Sequence, residues 1–369
     1  MVRRFLFENG FAEDADLRTT DLAILFTCAF CQSRVADMLG ELERIRATAR
    51  EDCEVIVGSC LPVTDPAALK KVFDGKTVSP TDFSALNDLA GVAVKIEEVQ
   101  GLFQNNGACI QLARRSPTDA DRRVGVFISS GCLRKCSYCA IRFATGPLRS
   151  KPPEAVSRTL SEGWDQGHRK FEIYADSIGD YGLDIGSNLG MLCERILESD
   201  RDFSVGIYDL HPQAFIKFFE PVFSLCRAGR VHYLYVPLQS GSARVLKLMN
   251  RSCNVNALVE KLLEVRGLEG VFLQTSIIVG FPTETDEEFD ETLDVLRLVQ
   301  FNDVYVHCYS EMPNTESAKL PGKIDKDVML RRLDRLDRAG IRHNYGKARH
   351  EWENFPLVTV EPASSEPRA

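Results

Sequence analysis

Apolar runs punctuate this chain at intervals that suit strands. Residues 22–26 (LAILF) and 54–58 (EVIVG) have the length and composition of buried parallel strands. Between them Met38, Leu39, Leu42 and Ile45 recur at helical spacing within 35–46, so the order is strand, helix, strand. From about 79 to 122 the pattern loses regularity. Asn105-Asn106-Gly107 reads as a turn and 116–119 as a polar joint, which places a domain boundary near residue 120. Beyond it, apolar runs at 124–129, 171–175, 203–207, 231–236, 271–279 and 304–309 alternate with amphipathic stretches. Six strands with crossover helices predict a parallel sheet, curled or open. After Asp325 a helical pattern of Val328, Leu330, Leu333, Leu336 and Ile341 carries Arg331, Arg332, Arg335, Arg338 and Arg342 on its other faces. These arginines read as the solvated face of a closing helix, with an anionic partner as the alternative. Residues 361–369 are too polar and proline-rich to fold.

The fold class expected is therefore α/β, with a small parallel α/β domain over 1–120, a larger six-fold unit over 121–345 and a partly disordered tail over 346–369. Composition narrows the function. The 369 residues hold 53 Asp and Glu against 45 Lys and Arg, a net charge of −8. That excludes a generally basic surface, so strong nucleic-acid binding by the chain alone is not expected. No run approaches the roughly 18 apolar residues of a membrane span, and a cytoplasmic protein is expected. Twelve cysteines in a reducing compartment are not a disulfide framework, and several should be metal ligands or catalytic groups.

Directly after the run 124–129 comes Gly131-Cys132-Leu-Arg-Lys-Cys136-Ser-Tyr138-Cys139. A structural zinc wants four ligands, usually as two separated pairs, and no second pair follows at finger or ribbon distance. His168 or Cys193 could complete a set, but each belongs to a helical stretch away from this loop. Three cysteines on one loop suit a four-iron, four-sulfur cube with one iron left open. The spacing CxxxCxxC, with an aromatic before the last Cys and a six-fold β/α run behind it, resembles the radical S-adenosylmethionine (SAM) signature. The resemblance implies an incomplete (β/α)6 barrel in which Cys132, Cys136 and Cys139 hold a [4Fe-4S] cluster whose open iron chelates SAM and reduces it to a 5′-deoxyadenosyl radical.

Downstream, Tyr181-Gly182-Leu-Asp184-Ile185-Gly186, Pro237-Leu238-Gln239-Ser240-Gly241-Ser242, Met249-Asn250-Arg251 and Ile278-Val279-Gly280-Phe281-Pro282-Thr-Glu284-Thr285 resemble the methylthiotransferases, over about residues 22–343. That family inserts sulfur at C–H bonds of tRNA adenosines or of a ribosomal-protein Asp. The resemblance implies SAM contacts from Tyr138, Asp176, Ser177, Gln239, Ser240, Arg251, Gly280 and Phe281. Gly241 and Gly280 would let backbone approach a ligand, and Gln239, Ser240 and Arg251 can donate to ribose or carboxylate. Leu246, Leu248 and Met249 read as core.

Methylthiotransferases hold a second Fe–S cluster on three cysteines of an N-terminal domain. Cys28, after the first apolar run, and Cys60, after the second, match two of them. The third would fall before Met1. Cys31, one helical turn from Cys28, could reach the same metal, or remain a buried thiol. Cys53 stands near 20 Å up the strand from Cys60, at about 3.3 Å per residue, and is a poor substitute. Cys109, Cys193, Cys226, Cys253 and Cys308 read as core or incidental. The chain departs from the family at Tyr309-Ser310-Glu311-Met312-Pro313-Asn314-Thr315, where an Arg and a Gly are lost, at Ser276 and at Thr283. Too few residues follow Tyr345 for the family's C-terminal barrel.

These readings converge on a radical SAM enzyme of methylthiotransferase type. It would insert sulfur or a methylthio group at a C–H bond of a small-molecule or peptide substrate, with flavodoxin or ferredoxin as electron donor. Three alternatives stay open: a tRNA methylthiotransferase with a truncated chain, a radical SAM enzyme without a working second cluster, and a non-catalytic metal-binding adaptor.

Overall fold

Two β/α units are built from the predicted apolar runs. The computed structural model describes residues 2–14, 16–99, 123–345 and 357–362. The first unit contains β1 (Phe11–Glu13), β2 (Leu22–Thr27), β3 (Glu54–Ser59) and β4 (Thr77–Val78). β2 and β3 run parallel, Leu22 opposite Glu54 and Thr27 opposite Ser59. The crossover helix Gln32–Thr48 buries Val35, Met38, Leu42 and Ile45 against Ala23, Leu25 and Val57 of the sheet. On the opposite face Ile24 and Ile56 pack with Phe5, Leu6 and Leu86. Both faces of β2 and β3 are thus covered, which is why these strands are continuously apolar.

The second unit holds β5 (Val124–Ser130), β6 (Arg149–Ser150), β7 (Lys170–Ala175), β8 (Ser204–Ile207), β9 (Val231–Tyr235), β10 (Phe272–Val279) and β11 (Asp303–Cys308). Their order is β11-β10-β9-β8-β7-β5-β6. All pairings are parallel except the two-residue β5–β6 ladder. Alternate residues such as Ile173, Val205, Leu273 and Val304 enter one large core with the surrounding helices. Their neighbours Tyr174, Tyr235, Tyr305 and His307 point the other way, into the concave side, and keep partial exposure. The six strands therefore curl into an open barrel with a helical outer layer, and their C-terminal ends share one mouth, where loops carry the chemistry of such folds.

The chain end differs from expectation. β12 (Leu357–Pro362) returns to the first unit and lies antiparallel between β1 and β2. Glu361 and Pro362, read from sequence as unfolded, belong to it, because backbone pairing compensates for a polar composition. The closing helix Lys326–Arg338 forms as predicted, but its arginines are not one solvated face. Arg332 is buried and pairs with Glu284 at 2.7 Å and Asp286 at 3.0 Å, while Leu330 is exposed. A buried charge needs a fixed partner, and the loop 280–286 supplies it. The predicted turn at 105–107, the joint at 116–119, the boundary near 120 and Cys109 lie outside the described residues. Among the described residues no helix is long and apolar enough to cross a membrane.

Candidate active site

The three cysteines occupy the loop leaving β5 at the barrel mouth. Gly131 starts it with φ +84°, and a Cβ there would stand 2.2 Å from the Pro147 carbonyl oxygen, so only glycine fits. Hydrogen bonds with two other segments, 176–180 and 248–251, clamp the loop. The Gly131 amide donates to Asp176 Oδ2 at 2.8 Å and the Leu133 amide to Asp180 Oδ2 at 3.2 Å. Arg134 adds an ion pair to Asp180 at 3.0 Å. Ser137 donates through its amide to the Met249 carbonyl and through its hydroxyl to the Leu248 carbonyl. Asn250 donates to the Lys135 carbonyl at 2.8 Å. Arg251 donates to Cys136 Sγ at 3.4 Å and to the Pro237 carbonyl at 2.8 Å. Six of the nine residues of 131–139 are thus held by contacts outside the loop.

Burial pushes the Cys132 thiol up to about 12, and the nearby Asp180, Cys139 and Cys136 add to the effect. Cys139 is raised mainly by burial as well, with Cys136 contributing. Three thiols in mutual electrostatic reach, Cys136 buried and Cys132 and Cys139 half-buried, stand beside a buried guanidinium and form a donor set that asks for a cation to displace its protons. Among the described residues no three His, Cys, Asp or Glu side chains are gathered tightly enough for one metal ion. Zinc at about 2.3 Å from each sulfur would bring thiolates within about 4 Å of one another. A four-iron cube holds each thiolate on a separate iron and therefore keeps them farther apart. Three thiols on one loop are the donor chemistry such a cube takes. His168, beyond the helix Pro153–Asp165, and Cys193, buried in the outer helical layer, join no set with it.

The downstream motifs hold this loop more than they face the mouth. Arg251, expected on ligand grounds, binds the cysteine loop, and so does its neighbour Asn250. Ser240 is fully buried, with its hydroxyl 3.4 Å from that of Thr292. A Cβ at Gly241 would meet the Glu291 carbonyl oxygen at 2.5 Å, and one at Gly280 the Met329 side chain at 2.6 Å. Both glycines let helices approach the barrel, not a ligand. Phe281 is buried edge-on to Tyr309 at 5.4 Å in a small core with Leu246 and Met249, which Tyr138 joins at its margin. Ser177 is buried at the head of a single helical turn, Ile178–Asp180. Asp176 and Gln239 do remain at the mouth. Burial raises the Asp176 carboxyl to about 6 despite the Gly131 amide. Gln239, held at φ +72°, donates to Ser276 at 3.2 Å and leaves its buried Oε1 without a partner. Sequence reasoning missed Asp180 and Asn250, whose work is visible only as contacts across the mouth.

The N-terminal cysteines stand at the sheet edge that faces this loop. Cys28 follows Thr27 and Cys60 follows Ser59, register partners on β2 and β3. The Thr27 hydroxyl donates to the Gly58 carbonyl at 2.6 Å and accepts from the Leu61 amide, tying the two turns together. Burial pushes the Cys60 thiol up to about 12, and Cys28, Asp176 and Cys139 each contribute. Cys60 therefore lies within electrostatic reach of both its neighbour and the barrel loop. Cys31 caps the helix Gln32–Thr48 with its sulfur 3.2 Å from the Ser33 hydroxyl. Cys53 sits at the other end of β3, under the influence of Arg50 and Asp21. Ser310, Glu311 and Met312, where the chain departs from the family pattern, make the joint between units. The Gln32 amide donates to Ser310 and its side chain to the Glu311 carbonyl, both at 2.9 Å, and Met312 is buried in the N-terminal core.

Comparison with known proteins agrees with this geometry. Residues 126–296 match the model of the Radical SAM superfamily. A "Probable threonylcarbamoyladenosine tRNA methylthiotransferase" of Pyrococcus abyssi is 31% identical over 293 residues, covering 77% of this chain and 68% of that protein. The chain belongs to the radical SAM methylthiotransferase family. A Moorella thermoacetica tRNA-2-methylthio-N(6)-dimethylallyladenosine synthase is 28% identical over 351 residues, 91% of this chain and 78% of that one. Among solved structures, the radical SAM methyltransferase TsrM from Kitasatospora setae, with cobalamin and a [4Fe-4S] cluster bound, matches at a TM-score of 0.56 and 15% identity. It covers 80% of this chain and 66% of TsrM, a likeness of fold alone. As a member of this family the protein is an enzyme whose cofactors are a [4Fe-4S] cluster and SAM.

Proposed function

We propose that the protein replaces a C–H bond of its substrate by a C–S bond, the hydrogen atom leaving to the 5′-deoxyadenosyl radical and sulfide-level sulfur coming from an iron–sulfur site at Cys28 and Cys60 that would take up the remaining electron, with Cys132, Cys136 and Cys139 as ligands of the SAM-binding cluster. Held by Cys132, Cys136 and Cys139, a [4Fe-4S] cluster would supply the electron that cleaves SAM. The chain's own residues do the rest. Arg251 balances charge at Cys136, Asp180 and Asn250 hold the loop rigid, and Asp176 offers a carboxylate to the ammonium of SAM beside the first cysteine. The observation that supports the reading is that Ala140, next to Cys139, packs in the N-terminal core with Leu61 and Cys60, so the cysteine loop lies against the turn that carries Cys60. A non-catalytic adaptor would have no use for that convergence.

The acidic net charge supports a small-molecule or peptide substrate, with a flavodoxin or ferredoxin as electron donor; the names of the relatives support tRNA as the second reading. The test is a Cys28→Ala/Cys60→Ala variant reconstituted without oxygen. It should still form 5′-deoxyadenosine from SAM yet place no sulfur on any product. Retained sulfur insertion would remove the N-terminal site from the mechanism.

A further inference from the structure

The concave side of the barrel carries a carboxylate that neither the cysteine loop nor the expected SAM contacts use. Asp209 lies two residues beyond β8, at φ +52°, a left-handed conformation uncommon for a residue that is not glycine. It is exposed, while Tyr208 before it and Leu210 after it are buried. The protein around it still raises its carboxyl to about 6 by burial, opposed by Arg251 and helped by Asp176. The amide of Leu210, the next residue, donates to the Tyr235 carbonyl at 3.0 Å, which sets Asp209 beside β9 in the concave recess of the barrel. The two tyrosines of β9 feel its charge.

An aromatic wall continues from that point. Tyr208 stacks on Tyr233 with ring centroids 4.5 Å apart, Tyr235 meets Tyr305 at 6.0 Å, Tyr305 stacks on His307 at 6.4 Å, and His307 meets Phe30 at 5.0 Å. Tyr235, Tyr305 and His307 keep partial exposure on the concave side, so this wall is open to a ligand. Burial lowers the His307 pKa to about 4, so the imidazole adds no positive charge near neutrality. Arg251 is the cation acting on Asp209, and it is already committed to Cys136 and the Pro237 carbonyl.

We infer that this recess binds a substrate carrying a protonated amine next to a flat ring, with Asp209 pairing the amine and Tyr235, Tyr305 and His307 stacking on the ring. A carboxylate beside π-faces is the arrangement that favours a cation over a neutral or anionic isostere. The inference deepens the proposed function by naming a substrate class for the same mouth, and it rests on that reading for the chemistry alone.

Three probes of one shape test it: 2-phenylethylamine, 2-phenylethanol and 3-phenylpropionate, measured by anaerobic equilibrium dialysis against the reconstituted enzyme with SAM present. The amine should bind at least about tenfold tighter than the alcohol, and the acid should not bind, as expected for one charge-assisted contact of about 1.4 kcal/mol or more. Asp209→Asn should erase the preference for amine over alcohol, and Tyr305→Leu should weaken both while keeping it. SAM cleavage to 5′-deoxyadenosine, measured in parallel, should be unchanged in Asp209→Asn. Equal binding of amine and alcohol by the native enzyme, or an undiminished amine preference in Asp209→Asn, would overturn the inference. Loss of SAM cleavage in Asp209→Asn would show instead that the carboxylate serves Arg251 and the cysteine loop. Failure of sulfur insertion in the native enzyme, with probe binding intact, would count against the proposed chemistry and leave this site standing.

Discussion

The two thiol sites are built by opposite means. Cys132, Cys136 and Cys139 share one nine-residue loop segment, 131–139, and need only that loop folded and clamped. Cys28 and Cys60 are separated by a helix and a strand, and they meet because β2 and β3 pair with Thr27 opposite Ser59. A one-residue slip of that pairing would turn one thiol to the other face. The loop site therefore depends on local sequence and its clamps, whereas the sheet site depends on register and on everything that keeps the first sheet intact.

The largest expected effect breaks the loop side of the comparison alone. Replacing Cys132, Cys136 and Cys139 together by Ala should remove about four irons per chain and abolish 5′-deoxyadenosine formation. Far-UV circular dichroism should be retained, because no strand depends on these thiols. Unchanged SAM cleavage would end the assignment. Next in size is the buried pair behind the mouth. Arg332→Met leaves Glu284 buried without its guanidinium and should cost about 3–5 kcal/mol in urea unfolding. Adding Glu284→Gln should recover much of that loss, since no unpaired charge then remains. A fully additive double variant would show that the two side chains do not act as a pair.

The sheet side is sharpened by removing residues 357–369. Without β12, strand β2 loses its antiparallel partner and the core loses Val358 and Val360. Amides of β2 should exchange with solvent about 10–100-fold faster, while those of β9 and β10 keep their protection. Equal loss of protection in both units would show that they unfold as one. The smallest effect concerns Glu288, which the Arg244 guanidinium at 2.6 Å and the Thr285 amide hold down to about 2. Its folded pKa lies below the unfolded value near 4.5. This contribution is therefore present above that value and lost as pH falls from about 4.5 towards 2. Arg244 is half exposed, so solvent screening limits the effect to about 1 kcal/mol at pH 7. Thermal unfolding of Glu288→Gln and the native chain should converge only below about pH 2.

The pattern of apolar runs determined both β/α units and the strand order along the chain, because burial on two faces demands continuous apolar strands and a helix between each parallel pair. It also located the cysteine loop, since three ligands within eight residues are a local property. What it misread were residues whose partners are distant in sequence. Gly241 and Gly280 looked like ligand approaches and are helix contacts; Arg251 looked like a ligand contact and clamps the cysteine loop; Arg332 looked solvated and is buried on Glu284. The polar end of the chain looked unfolded and in part completes a sheet, because backbone hydrogen bonds do not depend on apolar side chains. Asp209 carries no local signal, and only the closing of six strands brings it to the mouth beside an aromatic wall. Side-chain periodicity reports which face is covered, but it does not say by what. That was decided by tertiary contacts between segments dozens to hundreds of residues apart.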